Sequence, residues 1–115
     1  MPFAIVFPGQ GSQRPGMGQA WRSSASWSVV ERLSQVTGRD VGRLLTEADA
    51  DELKATANAQ MATFALSLVI LDAARQVLAG TGGQPVGVAG HSLGEYSALV
   101  CAGVLLLEDA AQVVA

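Results

Sequence analysis

The 115-residue chain has room for one domain and a single hydrophobic core. Half of its residues are hydrophobic and 15% are charged, which excludes an intrinsically disordered chain. With 7 basic residues against 10 acidic ones the net charge is −3, so neither a basic nucleic-acid groove nor a polybasic membrane patch is expected.

In chain order, Phe3 to Phe7 is an almost wholly apolar run closed by Pro8-Gly9. It predicts a strand buried on both faces, as in a parallel sheet covered by helices. No basic start precedes it, so the N-terminus is unlike a signal peptide and the expected location is cytoplasmic. The glycine-rich stretch Pro8-Gly9-Gln10-Gly11-Ser12-Gln13 follows, then Pro15-Gly16-Met17-Gly18. So many glycines predict backbone at positive φ or pressed close to a ligand. From Gln19 to Val36 the pattern is mixed but compatible with a helix, with Trp27, Val30 and Leu33 at three-residue spacing and Gly38 as the stop.

Asp40 to Leu45 predicts one further helical turn, and Asp49-Ala50-Asp51-Glu52 puts acidic residues where a helix N-terminus favours them. Thr56 to Ala79 predicts one or two helices. Within them Met61 to Leu71 is apolar nearly all round and is expected inside the protein, being too short for a bilayer, which needs about 20 residues. Gly80 to Pro85 reads as a loop, and Val86 to Ala89 as a second buried strand. An apolar helix is expected from Leu93 towards Ala102, and another from about Glu108. Strands alternating with helices predict an α/β fold with a parallel sheet and flanking helices. Cys101 is the single cysteine, expected as a buried inert thiol, and it excludes an internal disulfide and a cysteine metal cluster. No metal site is expected.

Gly90-His91-Ser92-Leu93-Gly94 fits G-x-S-x-G, placed between a predicted strand and a predicted helix. A nucleophile on such a turn sits in strained backbone, and glycines two positions either side leave room for it. The helix N-terminus then puts free N–H groups beneath the hydroxyl, and the N–H of Leu93 can donate to an oxyanion on an acyl group held by Ser92. A plain turn with a capping serine fits the same residues. Both glycine turns lie at the carboxyl ends of their strands, where open parallel sheets bind ligands. The first could therefore offer a second donor, the N–H of Gln10. A phosphate loop or a simple turn is the alternative there, although lysine and Walker spacing are lacking.

Taken together, these two motifs, with Glu95-Tyr96-Ser97-Ala98-Leu99 continuing the second, resemble the malonyl-CoA:acyl-carrier-protein transacylases. They are similar as well to the acyltransferase domains of fatty-acid and polyketide synthases. The resemblance covers essentially the whole chain. It implies that residues 1–115 are the N-terminal part of a catalytic domain, within the hydrolase-like large subdomain, with the small subdomain absent. It implies that Ser92 takes malonyl from malonyl-CoA and passes it to the phosphopantetheine thiol of acyl carrier protein, with Gln10 and Leu93 as oxyanion donors. Gly9, Gly11, Gly90, His91 and Gly94 support the two motifs. Malonyl-CoA enters as substrate, no bound cofactor is implied, and neither nucleic acid nor membrane is a partner. Leu93 matches the malonyl form of the motif, where methylmalonyl-using domains often have Gln.

His91, the single histidine, adjoins Ser92, but neighbours on a tight turn project apart, which makes it a poor base. The resemblance implies a base from a much later segment. It also implies an arginine for the malonyl carboxylate, falling by family spacing just after Ala115. Many relatives have proline where this chain has Met61, after Gln60. The chain alone is accordingly expected to be inactive and poorly soluble. Two rivals remain: a serine hydrolase or thioesterase, and a non-catalytic remnant of transacylase sequence.

Overall fold

A computed structural model describes residues 2–115. Strand β1 (Ala4–Phe7) is joined to strand β2 (Gly87–Gly90) by helices α1 (Ser28–Thr37), α2 (Val41–Thr46), α3 (Ala50–Lys54) and α4 (Thr56–Thr81). Helices α5 (Gly94–Cys101) and α6 (Leu107–Val114) follow. The strands pair in parallel, Ala4 opposite Gly87 and Phe7 opposite Gly90, so both chains leave the sheet at the same rim. The expected α/β fold, a parallel sheet with flanking helices, is present.

Several elements end where local chemistry dictates. Asp40 caps α2 by accepting from the Arg43 N–H, and Asp49 caps α3 by accepting from the Glu52 N–H. Gly38 closes α1 in the left-handed region at φ 72°, the conformation that glycine adopts without penalty. The expected helix from Gln19 is corrected. Two single tight turns, Gln19–Trp21 and Ala25–Trp27, come first, and α1 starts only at Ser28. Ser24 breaks the run by accepting from the Ser26 N–H in extended backbone.

Helix α4 is continuous and extends past Ala79, so the loop expected from Gly80 is corrected to begin at Gly82, which ends the helix at φ 70°. It packs against α1, α2, α3, α5 and α6, with Met61, Phe64, Ala65 and Val69 fully buried. Burying a side chain like Phe64 contributes about 1.5–3 kcal/mol, so this helix is the main seat of the core. Among the described residues it alone is long and apolar enough to cross a membrane, which the shorter Met61–Leu71 run did not suggest. Burial is not all round, however. Leu66 is half-buried, Ile70 is 42% exposed and Val77 is 71% exposed, leaving one stripe uncovered.

The strands also differ from expectation. Ile5 and Phe7 face the helices, but Ala4 and Val6 are exposed, as are Gly87 and Ala89 opposite them, so one face of the sheet is open. Strand β2 starts one residue later than Val86. Cys101 is half-buried, not sealed in the core, and its backbone carbonyl accepts from the exposed Arg75 guanidinium at 2.8 Å.

Candidate active site

Chain leaving β2 turns into α5 through His91, Ser92 and Leu93. Ser92 has φ 54° and is the one non-glycine residue at positive φ among the described residues. That conformation costs an L-residue roughly 1–2 kcal/mol, so the packing around it must enforce it. Two glycines do so. A Cβ on Gly90 would stand 2.0 Å from the Gly94 carbonyl oxygen, and one on Gly94 would stand 2.4 Å from that of Phe7. Only hydrogen fits at either position, as the G-x-S-x-G spacing requires. Ser92 is exposed, its hydroxyl makes no hydrogen bond among the described residues, and α5 begins two residues later.

The first glycine turn reaches this elbow from β1. The His91 N–H donates to the Phe7 carbonyl at 3.3 Å, and a Cβ on Gly9 would lie 2.5 Å from the His91 carbonyl oxygen. The two turns are therefore in backbone contact. The same imagined Cβ would lie 3.3 Å from Nδ1 of His91, so that ring is turned towards Gly9. No hydrogen bond links it to Ser92. Gly11 takes φ 116°, and its N–H donates to Oε1 of Gln13 at 2.8 Å, which fixes the far side of the turn. The N–H groups of Gln10 and Leu93 have no hydrogen-bond partner among the described residues. Further along, Gly18 anchors the stretch by donating to the Leu45 carbonyl at 2.9 Å.

A cavity of about 280 Å³ opens at the elbow, lined by Gln60, Ser92, Leu93, Glu95, Tyr96, Val113 and Val114. Gln10 is exposed and is not among its lining residues. The sequence reading missed Gln60, Glu95, Tyr96, Val113 and Val114 as neighbours of Ser92. Glu95 and Tyr96 lie within one turn of it and could have been found by helical spacing. Gln60 at the start of α4 and the end of α6 arrive only through tertiary packing. No lysine or arginine lines this cavity, so a carboxylate held there would need a cation from elsewhere. Among the described residues no cluster of three or more His, Cys, Asp or Glu side chains could hold a metal ion.

Residues 4–115 match the sequence profile of the acyl transferase domain. This chain belongs to the acyl transferase domain family. Within that family it is 42% identical over 113 residues to a malonyl CoA-acyl carrier protein transacylase of Bacillus subtilis, covering 96% of this chain and 28% of that protein. The corresponding Escherichia coli K12 protein is 43% identical over 117 residues, covering 97% of this chain and 36% of that one. The acyl-carrier-protein S-malonyltransferase of Burkholderia pseudomallei superposes with a TM-score of 0.90 at 43% identity, over 99% of this chain and 36% of that one. A malonyl-transacylase solved in complex with a type II polyketide acyl carrier protein gives 0.84 at 40% identity, over 99% and 37%. The acyl transferase chain described here thus spans only 28% to 36% of the curated relatives named above.

Proposed function

We propose that this chain provides the nucleophile of an enzyme that moves a malonyl group from malonyl-CoA to acyl carrier protein in fatty-acid or polyketide biosynthesis. On this reading residues 1–115 form the N-terminal part of the catalytic domain. The observation that carries the reading is Ser92, held at φ 54° between two glycines that admit no side chain.

In the first half-reaction the Ser92 hydroxyl oxygen bonds to the thioester carbonyl carbon. Its proton passes to a base outside the described residues, and the carbonyl oxygen becomes an oxyanion. Collapse breaks the carbon–sulfur bond, and coenzyme A leaves with the proton returned to its sulfur. In the second, the phosphopantetheine thiol attacks the Ser92 ester, and the serine hydroxyl is regenerated. The free N–H groups of Gln10 and Leu93 are the donors we assign to the oxyanion. Leu93 adjoins the nucleophile, and Gln10 is one residue past the Gly9–His91 contact. The exchange is redox-neutral and needs no bound cofactor, and a cytoplasmic location suits its use of coenzyme A thioesters.

A carboxylate-bearing acyl group fits this cavity only with an added cation, for Glu95 is its sole charged lining residue. Among the described residues no base is hydrogen-bonded to the Ser92 hydroxyl, which supports the reading that the chain is inactive alone.

The test is a chimera in which this chain replaces the matched 28% of the Bacillus subtilis relative. Given malonyl-CoA and holo acyl carrier protein, it should form malonyl-carrier protein with the parallel double-reciprocal lines of ping-pong kinetics. Release of free malonate with no transfer would favour the hydrolase reading instead.

A further inference from the structure

The cavity at the elbow carries one charged side chain, and its sign is the wrong one for holding a carboxylate-bearing acyl group. Glu95, in the first turn of α5, lines that cavity together with the nucleophile Ser92. Among the described residues its carboxylate has no ion-pair or hydrogen-bond partner, whereas Glu108, Glu52 and Asp51 each meet a cation. A helix N-terminus favours a negative charge in its first turn, which accounts for an acid on α5 but not for its place in the cavity. Glu108 and Asp109 open α6 in the same way and line no part of it.

The size of the cavity turns this placement into a constraint. Taken as a sphere, about 280 Å³ is about 8 Å across. Salt screens charges over a length of about 8 Å at physiological ionic strength. Two carboxylates in this space therefore repel each other almost unscreened, and both stay ionised only with a cation between them. No other lining residue is charged. Val113 and Val114 form the α6 side of the cavity, and positions three and four further along a helix share its face. One more turn of α6 would bring its next side chains to the same space.

We propose that Glu95 is a positioning residue for acyl selection: it holds one side of a side-chain cation contributed by the rest of the family fold, leaving the other side to meet the acyl carboxylate. The proposal rests on the transacylase reading of Ser92 and adds to it a task for Glu95. The carboxylate thus aids the binding of a second carboxylate by fixing the charge that lies between them.

The chimera with the Bacillus subtilis relative tests this as a ratio between two substrates. Malonyl-CoA carries the distal carboxylate and acetyl-CoA lacks it, while the thioester chemistry is the same. Acylation of the unsubstituted chimera reports on the Ser92 reading alone, so the two claims fail separately. Glu95→Gln keeps the size of the side chain and removes its charge. It should lower kcat/KM for malonyl-CoA at least about tenfold, mostly through KM, and change that for acetyl-CoA less than about twofold. Glu95→Asp should restore part of the malonyl preference. Glu108→Gln, which removes a first-turn acid away from the cavity, should leave the ratio as it was. Three results would each overturn the proposal. They are a malonyl-to-acetyl ratio that Glu95→Gln leaves unchanged, a malonyl-CoA kcat/KM that rises because Glu95 only repels the substrate, and a shift in the ratio of equal size with Glu108→Gln.

Discussion

Gly9 and His91 touch through their backbones: a Cβ on Gly9 would stand 2.5 Å from the His91 carbonyl oxygen. This contact joins the turn after β1 to the turn after β2. It exists because the strands are parallel neighbours in register, Phe7 opposite Gly90. Substitution at this junction should therefore damage both turns at once.

Gly94→Ala would place its methyl 2.4 Å from the Phe7 carbonyl and 2.9 Å from that of Pro8, both backbone atoms that cannot swing aside. Destabilisation by about 1–3 kcal/mol is expected, read as a lowered denaturation midpoint. Gly80→Ala is the control. It meets nothing within 4 Å and lies in α4, where alanine is favoured over glycine, so stability should hold or rise by up to about 1 kcal/mol.

Ser92 separates strain from chemistry. Ser92→Ala removes the hydroxyl but leaves a Cβ at φ 54°, whereas Ser92→Gly also relieves the left-handed conformation. The glycine variant should be the more stable of the two by about 0.5–1 kcal/mol, after allowing for its larger unfolded-state entropy. Chemical denaturation measures the difference, and in the chimera neither variant should form an acyl-enzyme.

Core packing on α4 sets the largest single effects. Phe64 is fully buried, and Phe64→Ala should cost about 3–5 kcal/mol. Val77→Ala, at 71% exposure on the uncovered stripe, should change the stability of the isolated chain by less than about 0.5 kcal/mol. A comparable loss at both positions would mean that the stripe is already covered.

Arg32 on α1 donates to Glu108 on α6, and this hydrogen bond holds the Glu108 carboxyl below its ordinary 4.5. A carboxylate depressed in the folded state stabilises fully above its unfolded pKa, and loses that contribution as pH falls through the folded one. Glu108→Gln should therefore lower the melting temperature slightly at neutral pH and not in acid. Because both side chains are largely exposed, at 53% and 40%, the neutral-pH difference should shrink further in high salt.

Much of this was legible from local signals. The stop at Gly38, the acidic starts of α2 and α3, and the strand–turn–helix at Ser92 are properties of neighbouring residues, and each appears where its chemistry places it. What depended on distant packing was not. An apolar run at Met61–Leu71 reveals that a helix is inside but not which stripe of it stays open, so the exposure of Ile70 came only with the coordinates. The same holds for the half-buried Cys101 and for Gln60, which reaches the Ser92 cavity from a helix more than thirty positions earlier.

On the proposed reading the hydroxyl at the elbow accepts the acyl group. Peptide mass spectrometry of the chimera after brief exposure to malonyl-CoA tests it directly. One malonyl ester should appear on the peptide containing Ser92, and adding holo acyl carrier protein should discharge it. A malonyl group found on another residue, or no adduct from a folded chimera, would contradict the account.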